Sequence, residues 1–339
     1  AENSAPYGAG AAVLGTEHGT GYLGVFSTNP ASPGAIYENV ASRTGGGVFI
    51  KPGSRHDASF CAQDFDIHAN TAVNGAAIYA DLDDDRGSDV LINSIDPLVV
   101  CSLDAIACEP GPSCNRIDDN VATDGAIMLV QSNGTFSANR FSMRGNQAAT
   151  MIGELTDAGT QVKLWNCLLA GNSVVGALID AYTPGDLDIA STLSVDGCTF
   201  AGNAIGAPDV VHGQVSGFAL TDSIVYQPGK GTIDGPVFTP FVHYVLSNDV
   251  STLPAGEDVV QGVPTFVDAA AGDYHLQPTS LGVDFAPVPI RVPPQLDLDG
   301  LPRAVDLVAI ANLFGSLDLG PYEIQEGGVI DPIFTSYFE

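Results

Sequence analysis

The densest set of ligating side chains is Asp81-Leu-Asp83-Asp84-Asp85-Arg-Gly87-Ser-Asp89. Carboxylates at alternate positions beside a glycine are what oxygen-ligated calcium loops use. Asp81, Asp83, Asp85 and Asp89 are therefore candidate ligands for a structural calcium ion. The EF-hand spacing is not met, since Arg86 stands at its glycine position and Ile92 at its glutamate position. The competing reading is a solvated acidic turn. Asp297-Leu-Asp299-Gly300 is a shorter version of the same pattern.

Glycan cleavage needs two carboxylates roughly 5 to 9 Å apart. Glu154 and Asp180 each lie eight residues after an asparagine of a recurring signature (Asn146 and Asn172), so they are candidates for one stacked pair. Gly176, however, follows Asn172 one residue sooner than Gly75 follows Asn70 or Gly125 follows Asn120. A slip of one residue sends strand side chains to opposite faces. Lyase chemistry would need a base near calcium, and the central turns offer Arg140, Arg144 and Lys163. Arg144 and Asp118 each stand two residues before an asparagine, which predicts an exposed ion pair. His212 and His275 have no serine or cysteine partner in a recognisable motif and read as structural. No glycine-rich loop leads from a strand into a helix to cradle phosphate. No residue is assigned a catalytic role.

The six cysteines form no zinc-spaced cluster. Cys167 and Cys198 each precede an asparagine of the signature by five residues, so they occupy one site on successive turns. Strands stack about 4.8 Å apart and a disulfide prefers a Cβ separation of about 3.8 Å, so a bond needs a small pinch. A disulfide and a buried thiol stack are both compatible with this register. Cys61, Cys101, Cys108 and Cys114 gather around one long excursion between Tyr79 and Cys114, where two bridges of open connectivity would pin it. An even cysteine count fits an oxidising compartment.

What must position these residues is a repeat. Ile36-Tyr-Glu-Asn39, Ile67-His-Ala-Asn70, Ile117-Asp-Asp-Asn120, Met143-Arg-Gly-Asn146, Leu169-Ala-Gly-Asn172 and Phe200-Ala-Gly-Asn203 share one signature, apolar-x-x-Asn. Successive asparagines are 31, 50, 26, 26 and 31 residues apart. A period of this size means a solenoid, with the step of 50 read as two turns. Gly or Ala and a short apolar run follow most of the asparagines, as in Gly75-Ala-Ala-Ile-Tyr79 and Gly125-Ala-Ile-Met-Leu-Val130. Apolar residues alternate as in half-buried strands (Leu193/Val195, Cys198/Phe200), with 39 glycines and no 3.6-residue period to support helices. The expectation is an all-β, right-handed parallel β-helix. Asn39, Asn70, Asn120, Asn146, Asn172 and Asn203 would form a structural ladder at one corner. Glycine after each would supply the positive φ of a tight turn.

The division expected is an N-terminal cap or irregular first turn at 1–34 and a β-helix at 35–229. A Pro-rich, non-helical capping region laid over the last turns would follow at 230–326, and an aromatic tail at 327–339. The net charge of −29 from 40 acids and 11 bases argues against nucleic acid and anionic lipid as partners. No run of 18 apolar residues offers a membrane span. The opening Ala1-Glu2-Asn3, without methionine, is read as the product of signal cleavage and hence of export.

The apolar-x-x-Asn and Gly-Ala-apolar elements resemble those of the pectate-lyase-like, right-handed parallel β-helix superfamily, especially its polymorphic outer-membrane-protein type. Pro264-Thr-Phe-Val-Asp268, Gly272-Asp-Tyr-His-Leu-Gln-Pro278, Asp297-Leu-Asp-Gly-Leu-Pro-Arg303 and Asp318-Leu-Gly-Pro-Tyr-Glu323 resemble the C-terminal region of extracellular choice-of-anchor proteins. The family's usual Ser-Pro-Ala-Ile-Asp stands here as Ser280-Leu-Gly-Val-Asp284. Together the resemblances cover roughly residues 35–324; they imply the fold and an exported location, and no defined activity.

Function is then expected at faces and ends. The leading expectation is a secreted structural subunit that self-associates into an extracellular filament, matrix or surface layer. The tail residues Phe334, Tyr337 and Phe338 either fold back onto their own chain or dock on a neighbour. The alternative is a secreted glycan-active enzyme or a glycan-binding adhesin on the lateral face, where Trp165 and scattered tyrosines are the available sugar platforms.

Overall fold

The structure, a computed structural model, describes residues 2–17, 20–26, 33–53, 57–80, 88–92, 115–130, 134–153, 160–182, 191–234, 240–288 and 296–325. Among these the chain is all-β, with one 3-10 turn at Ala269–Ala271. No helix of the described residues is long and apolar enough to cross a membrane.

Three sheets take strands from successive passes of the chain in sequence order, the third sheet one or two from each pass, and every pairing within them is parallel. The first sheet runs from Ser4–Tyr7 through Val40–Thr44 to Ala204–Ile205, and the second from Ala11–Leu14 through Val48–Lys51 to Gly231–Asp234. The third, with 13 strands, begins at Gly21–Phe26 and ends at Val259–Gln261. This arrangement is compatible with a β-helix. Strands of the first pass pair with the second: Ser4–Tyr7 with Val40–Thr44, with a register shift between Ala5 and Tyr7, and Gly34–Tyr37 with Phe65–His68.

Two columns of left-handed backbone make the bends. One crosses the third sheet at Asp64, Arg140, Asn166, Gly197, Asp222 and Tyr244, with φ between 47° and 64°. The other is the residue just before each ladder asparagine: Glu38, Ala69, Asp119, Gly145, Gly171 and Gly202, φ 54° to 66°. The expected glycine after the asparagine does take positive φ at Gly45, Gly75 and Gly125. The nearer corner nonetheless falls on the last free position of the signature, and half of those residues carry a side chain. The asparagine that follows bonds across rungs and so holds a conformation that non-glycine residues otherwise avoid.

The step of 50 is one rung, not two. Asn70 donates from its backbone N–H and its Nδ2 to Asn120 Oδ1, both at 3.0 Å. Phe65–His68 likewise pairs directly with Asn115–Asp118.

Inside, like stacks on like. Ile67, Ile117, Met143, Leu169 and Phe200 form one buried column, and Val48, Ile78, Met128, Ile152 and Ile179 another. Each such side chain contributes about 1.5–3 kcal/mol by burial, against about 0.5–1.5 kcal/mol net for a hydrogen bond. The apolar columns therefore hold the rungs together, and the polar ladder sets their register.

Residues 264–288 and 296–325 lie against the outward face of the later rungs. Beyond the bend, the outward side chains of the third sheet change from Asp66, Arg116, His68 and Asp118 on early rungs to Leu168, Ala170, Ala201, Ile224 and Leu246 later. Tyr274, Leu298 and Tyr322 cover Leu168, Ala170 and Ala201. Leu276, Val283, Phe285, Leu317 and Leu319 cover Ile224 and Leu246. An outward apolar face on a strand demands such a lateral partner.

Candidate functional site

The most concentrated ionisable cluster lies along that lateral seam. His275 donates or accepts from both ring nitrogens, Nδ1 at 2.6 Å from Asp273 Oδ1 and Nε2 at 2.7 Å from Asp299 Oδ2. Its ring lies 4.0 Å from that of Tyr322. Burial alone would pull the imidazole down, but Asp299 and Asp273 outweigh it and raise the pKa to about 9. The ring therefore carries its proton at neutral pH and cannot serve there as a general base. Both nitrogens donate, and the cation ties two segments, 273–275 and 297–299, into one unit.

Arginines of the stack complete the seam. Arg140 Nε donates to the Asp297 carbonyl at 2.6 Å. Arg144 donates to the Gly272 carbonyl at 3.2 Å and to Tyr322 Oη at 3.3 Å. Arg303, from the covering region, reaches the other way: Nη1 donates to Asn166 Oδ1 and to the Gly320 carbonyl, each at 2.6 Å, and Nη2 to the Asp318 carbonyl at 2.9 Å.

Behind it, buried carboxylates accept backbone N–H groups in sequence. Asp297 accepts from Leu301 and Glu323, Glu323 from Val305 and Asp318, and Asp318 from Asp284 and Ile324. Burial pushes all three carboxyls up, Asp297 to about 6, and a neighbouring acid adds to it in each case, Asp299 for Asp297, Asp284 for Asp318 and Asp318 for Glu323. Folding the irregular region 296–325 leaves N–H groups without ladder partners, and these acids supply the acceptors.

A second constellation lies on the outer face of the second sheet. Asp180, His212 and Asp234 are register partners on three successive rungs, with His212 Nδ1 3.2 Å from Asp180 Oδ1. Both side chains are more than a third exposed. Asp209 lies near it, its carboxyl raised by burial and by Asp234 and Asp249. Carboxylates two rungs apart would be about 9.6 Å from each other. Glu154, the other half of the expected stacked pair, lies outside the described residues. Ile152 pairs with Ile179, which sets Asp180 opposite Gly153 and is the one-residue slip that the glycine spacing implies.

The ladder runs from rung to rung. Asn39, Asn70, Asn120, Asn146 and Asn172 each donate backbone N–H and Nδ2 to Oδ1 of the next, ending on Asn203. Asn3 adds a rung that lacks the apolar-x-x prefix, donating to Asn39 Oδ1 at 3.2 and 3.0 Å. Beyond Asn203 the register position falls to Pro228, which has neither amide nor N–H to continue it.

Cys167 and Cys198 form a disulfide, Cα atoms 4.4 Å apart. Cys61 is disulfide-bonded too; Cys101, Cys108 and Cys114 lie outside the described residues. So do Asp81, Asp83 and Asp85. Asp89 sits in the strand Ser88–Ile92 between Ser59 and Thr135, whose hydroxyls bond its carboxylate, while burial raises its pKa. No group of three metal-ligating side chains occurs among the described residues. Phe334, Tyr337 and Phe338 also fall outside them. Trp165 is half-buried between Asn139 and Asp196.

One expectation about these side chains is corrected. Arg144 and Asp118 are not an exposed ion pair: Asp118 Oδ1 accepts the Arg144 backbone N–H at 3.1 Å, and the guanidinium is occupied by the covering region. Burial raises Asp118 to about 7 despite Arg116 and Arg144. His212 and His275, read as structural, are each paired with aspartate. The signal for His275 was local and unread, an acid two residues before it and the Asp-x-Asp at 297–299. No family model, no curated protein and no solved structure matches this chain.

Proposed function

We propose that the chain is a secreted, right-handed parallel β-helix that acts as a structural subunit, assembling with copies of itself into an extracellular filament, matrix or surface layer. The observation that carries this reading is the open ladder. Asn3 donates inward along it, and among the described residues the first strand of each sheet has a partner on one side only. An uncovered parallel edge is a template for another chain. The seam residues support the same reading, since His275 and the buried acids act as fasteners. Disulfide bonding of Cys61 and of Cys167–Cys198 favours an oxidising compartment. Light scattering and electron micrographs of purified protein, with and without calcium, test it. A monomer at every concentration would sink it.

A second reading is glycan binding or cleavage on the lateral face, favoured by the exposed Asp180–His212–Asp234 column. It predicts new reducing ends or retention on at least one polysaccharide of a panel, lost in Asp180→Asn. A panel without either result removes it.

A further inference from the structure

We infer that Asp284 and Asp306 form a calcium site in the covering region, with Asp284 at its buried floor and Asp306 at its rim. The inference does not depend on self-association.

Asp284 is the acid of this region that fastens nothing with its side chain. It is fully buried, and among the described residues neither of its carboxylate oxygens has a hydrogen-bond partner. No other carboxylate among them is buried with both oxygens bare. Its main chain, by contrast, is fixed on both sides. The N–H donates to Asp318 Oδ1 at 2.8 Å, and the carbonyl accepts the Leu313 N–H at 2.9 Å. The residue is held in left-handed backbone, φ 48°, between buried Val283 and Phe285. A residue with a side chain adopts that conformation only where its surroundings impose it. The fold therefore places this carboxylate and leaves it unanswered.

A bare carboxylate in the interior calls for a donor, a proton or a cation. Donors are short here. Arg303, which acts on the neighbouring Asp318 and Glu323, spends Nη1 and Nη2 on Asn166 and on the Gly320 and Asp318 carbonyls. Burial raises the Asp284 carboxyl; the Leu307 N–H opposes this and the charge of Asp306 adds to it. A proton would neutralise Asp284 and leave Asp306 unchanged, whereas one cation serves both. Asp306 is exposed, which gives an ion its route from solvent. Asp318 lies behind Asp284. Its two oxygens already accept the Asp284 and Ile324 N–H groups, so its charge attracts the ion without ligating it.

The donor set selects the metal. Residues 282–288 and 304–320 contain no histidine or cysteine, so the ligands are oxygens. Calcium tolerates a flexible shell of about six to eight oxygens, which two carboxylates, turn carbonyls and water can supply. No third acid among the described residues joins the pair as a ligand. The affinity should then fall near the weak end for calcium sites, roughly 10⁻⁴ to 10⁻³ M.

The test is calorimetric titration of the EDTA-stripped, full-length protein with calcium chloride, beside Asp284→Asn and Asp306→Asn. Each variant should bind one calcium fewer than the wild type, or the same ion about tenfold more weakly. The wild-type melting temperature should rise in calcium, and neither variant should show the full rise. Asp306→Asn alters an exposed side chain and decides the matter should Asp284→Asn fail to fold. A wild type that takes up no calcium, or melts at one temperature with and without it, shows Asp284 to be a buried neutral acid and overturns the site. Equal stoichiometry and affinity in the wild type and both variants overturns it too, by placing the bound calcium elsewhere. A loss confined to one of two folded variants overturns the pairing of these acids.

Discussion

Asn120 and Asn146 lie 26 residues apart, yet Asn120 donates its backbone N–H and its Nδ2 to Asn146 Oδ1 at 2.9 and 3.1 Å. Both side chains are fully buried. Asn146→Ala leaves two buried donors without an acceptor, at about 1–3 kcal/mol each. We predict a loss of about 3–5 kcal/mol by denaturant unfolding. Asn3→Ala, at the exposed end, should cost under about 1 kcal/mol. Equal losses at the two positions would show that the ladder does not act through burial.

The Cys167–Cys198 disulfide closes a 31-residue loop across one rung. Replacing both cysteines by valine keeps the buried column apolar and removes the cross-link. Calorimetry should show destabilisation of about 2–4 kcal/mol. No loss would mean that stacking alone already confines the loop.

Arg303 is 3% exposed and bridges the covering region to Asn166. Arg303→Met orphans three buried oxygens, a cost of about 3–5 kcal/mol. Hydrogen exchange should then rise in residues 273–288 and 296–325 while the Asn70–Asn172 amides stay protected. Uniform loss of protection would show that the region and the stack unfold as one unit.

The pH dependence has a definite sign. His275 is raised to about 9 from an ordinary value near 6.5, so its contribution is complete below about pH 6.5 and is lost as pH rises through 9. Asp297 and Asp118, raised to about 6 and about 7, favour their protonated forms in the fold. Their contribution is complete below about pH 4 and is lost as pH rises through those values. All three make stability fall toward alkaline pH. For His275 the part between pH 6.5 and 9 is at most about 3 kcal/mol, and His275→Gln should flatten that limb of a stability profile. A wild type whose stability rises from pH 6 to 9 contradicts this account.

The strand stack was legible because its information is one-dimensional. The signature from Ile36 to Asn203 and the shared offset of Cys167 and Cys198 state the register directly: parallel in-register stacking sets equal offsets side by side. The step of 50 was read as two turns on the period alone, and the direct bond from Asn70 to Asn120 makes it one. Asn3 was missed because its rung lacks the apolar prefix. The left-handed corner before each asparagine was missed because Glu38, Ala69 and Asp119 are not glycines.

The seam was decided by tertiary structure alone. His275 gains Asp299, Arg140 gains Asp297 and Arg303 gains Asn166, contacts 24, 157 and 137 residues apart. No period relates such positions. They meet because an outward apolar face on the later rungs had to be covered, and hydrophobic burial selects the area to cover without naming its polar partners. The sequence by itself determined a stack of parallel strands with an asparagine at its corner. Only the folded chain decided which charges would fasten its covering region to it.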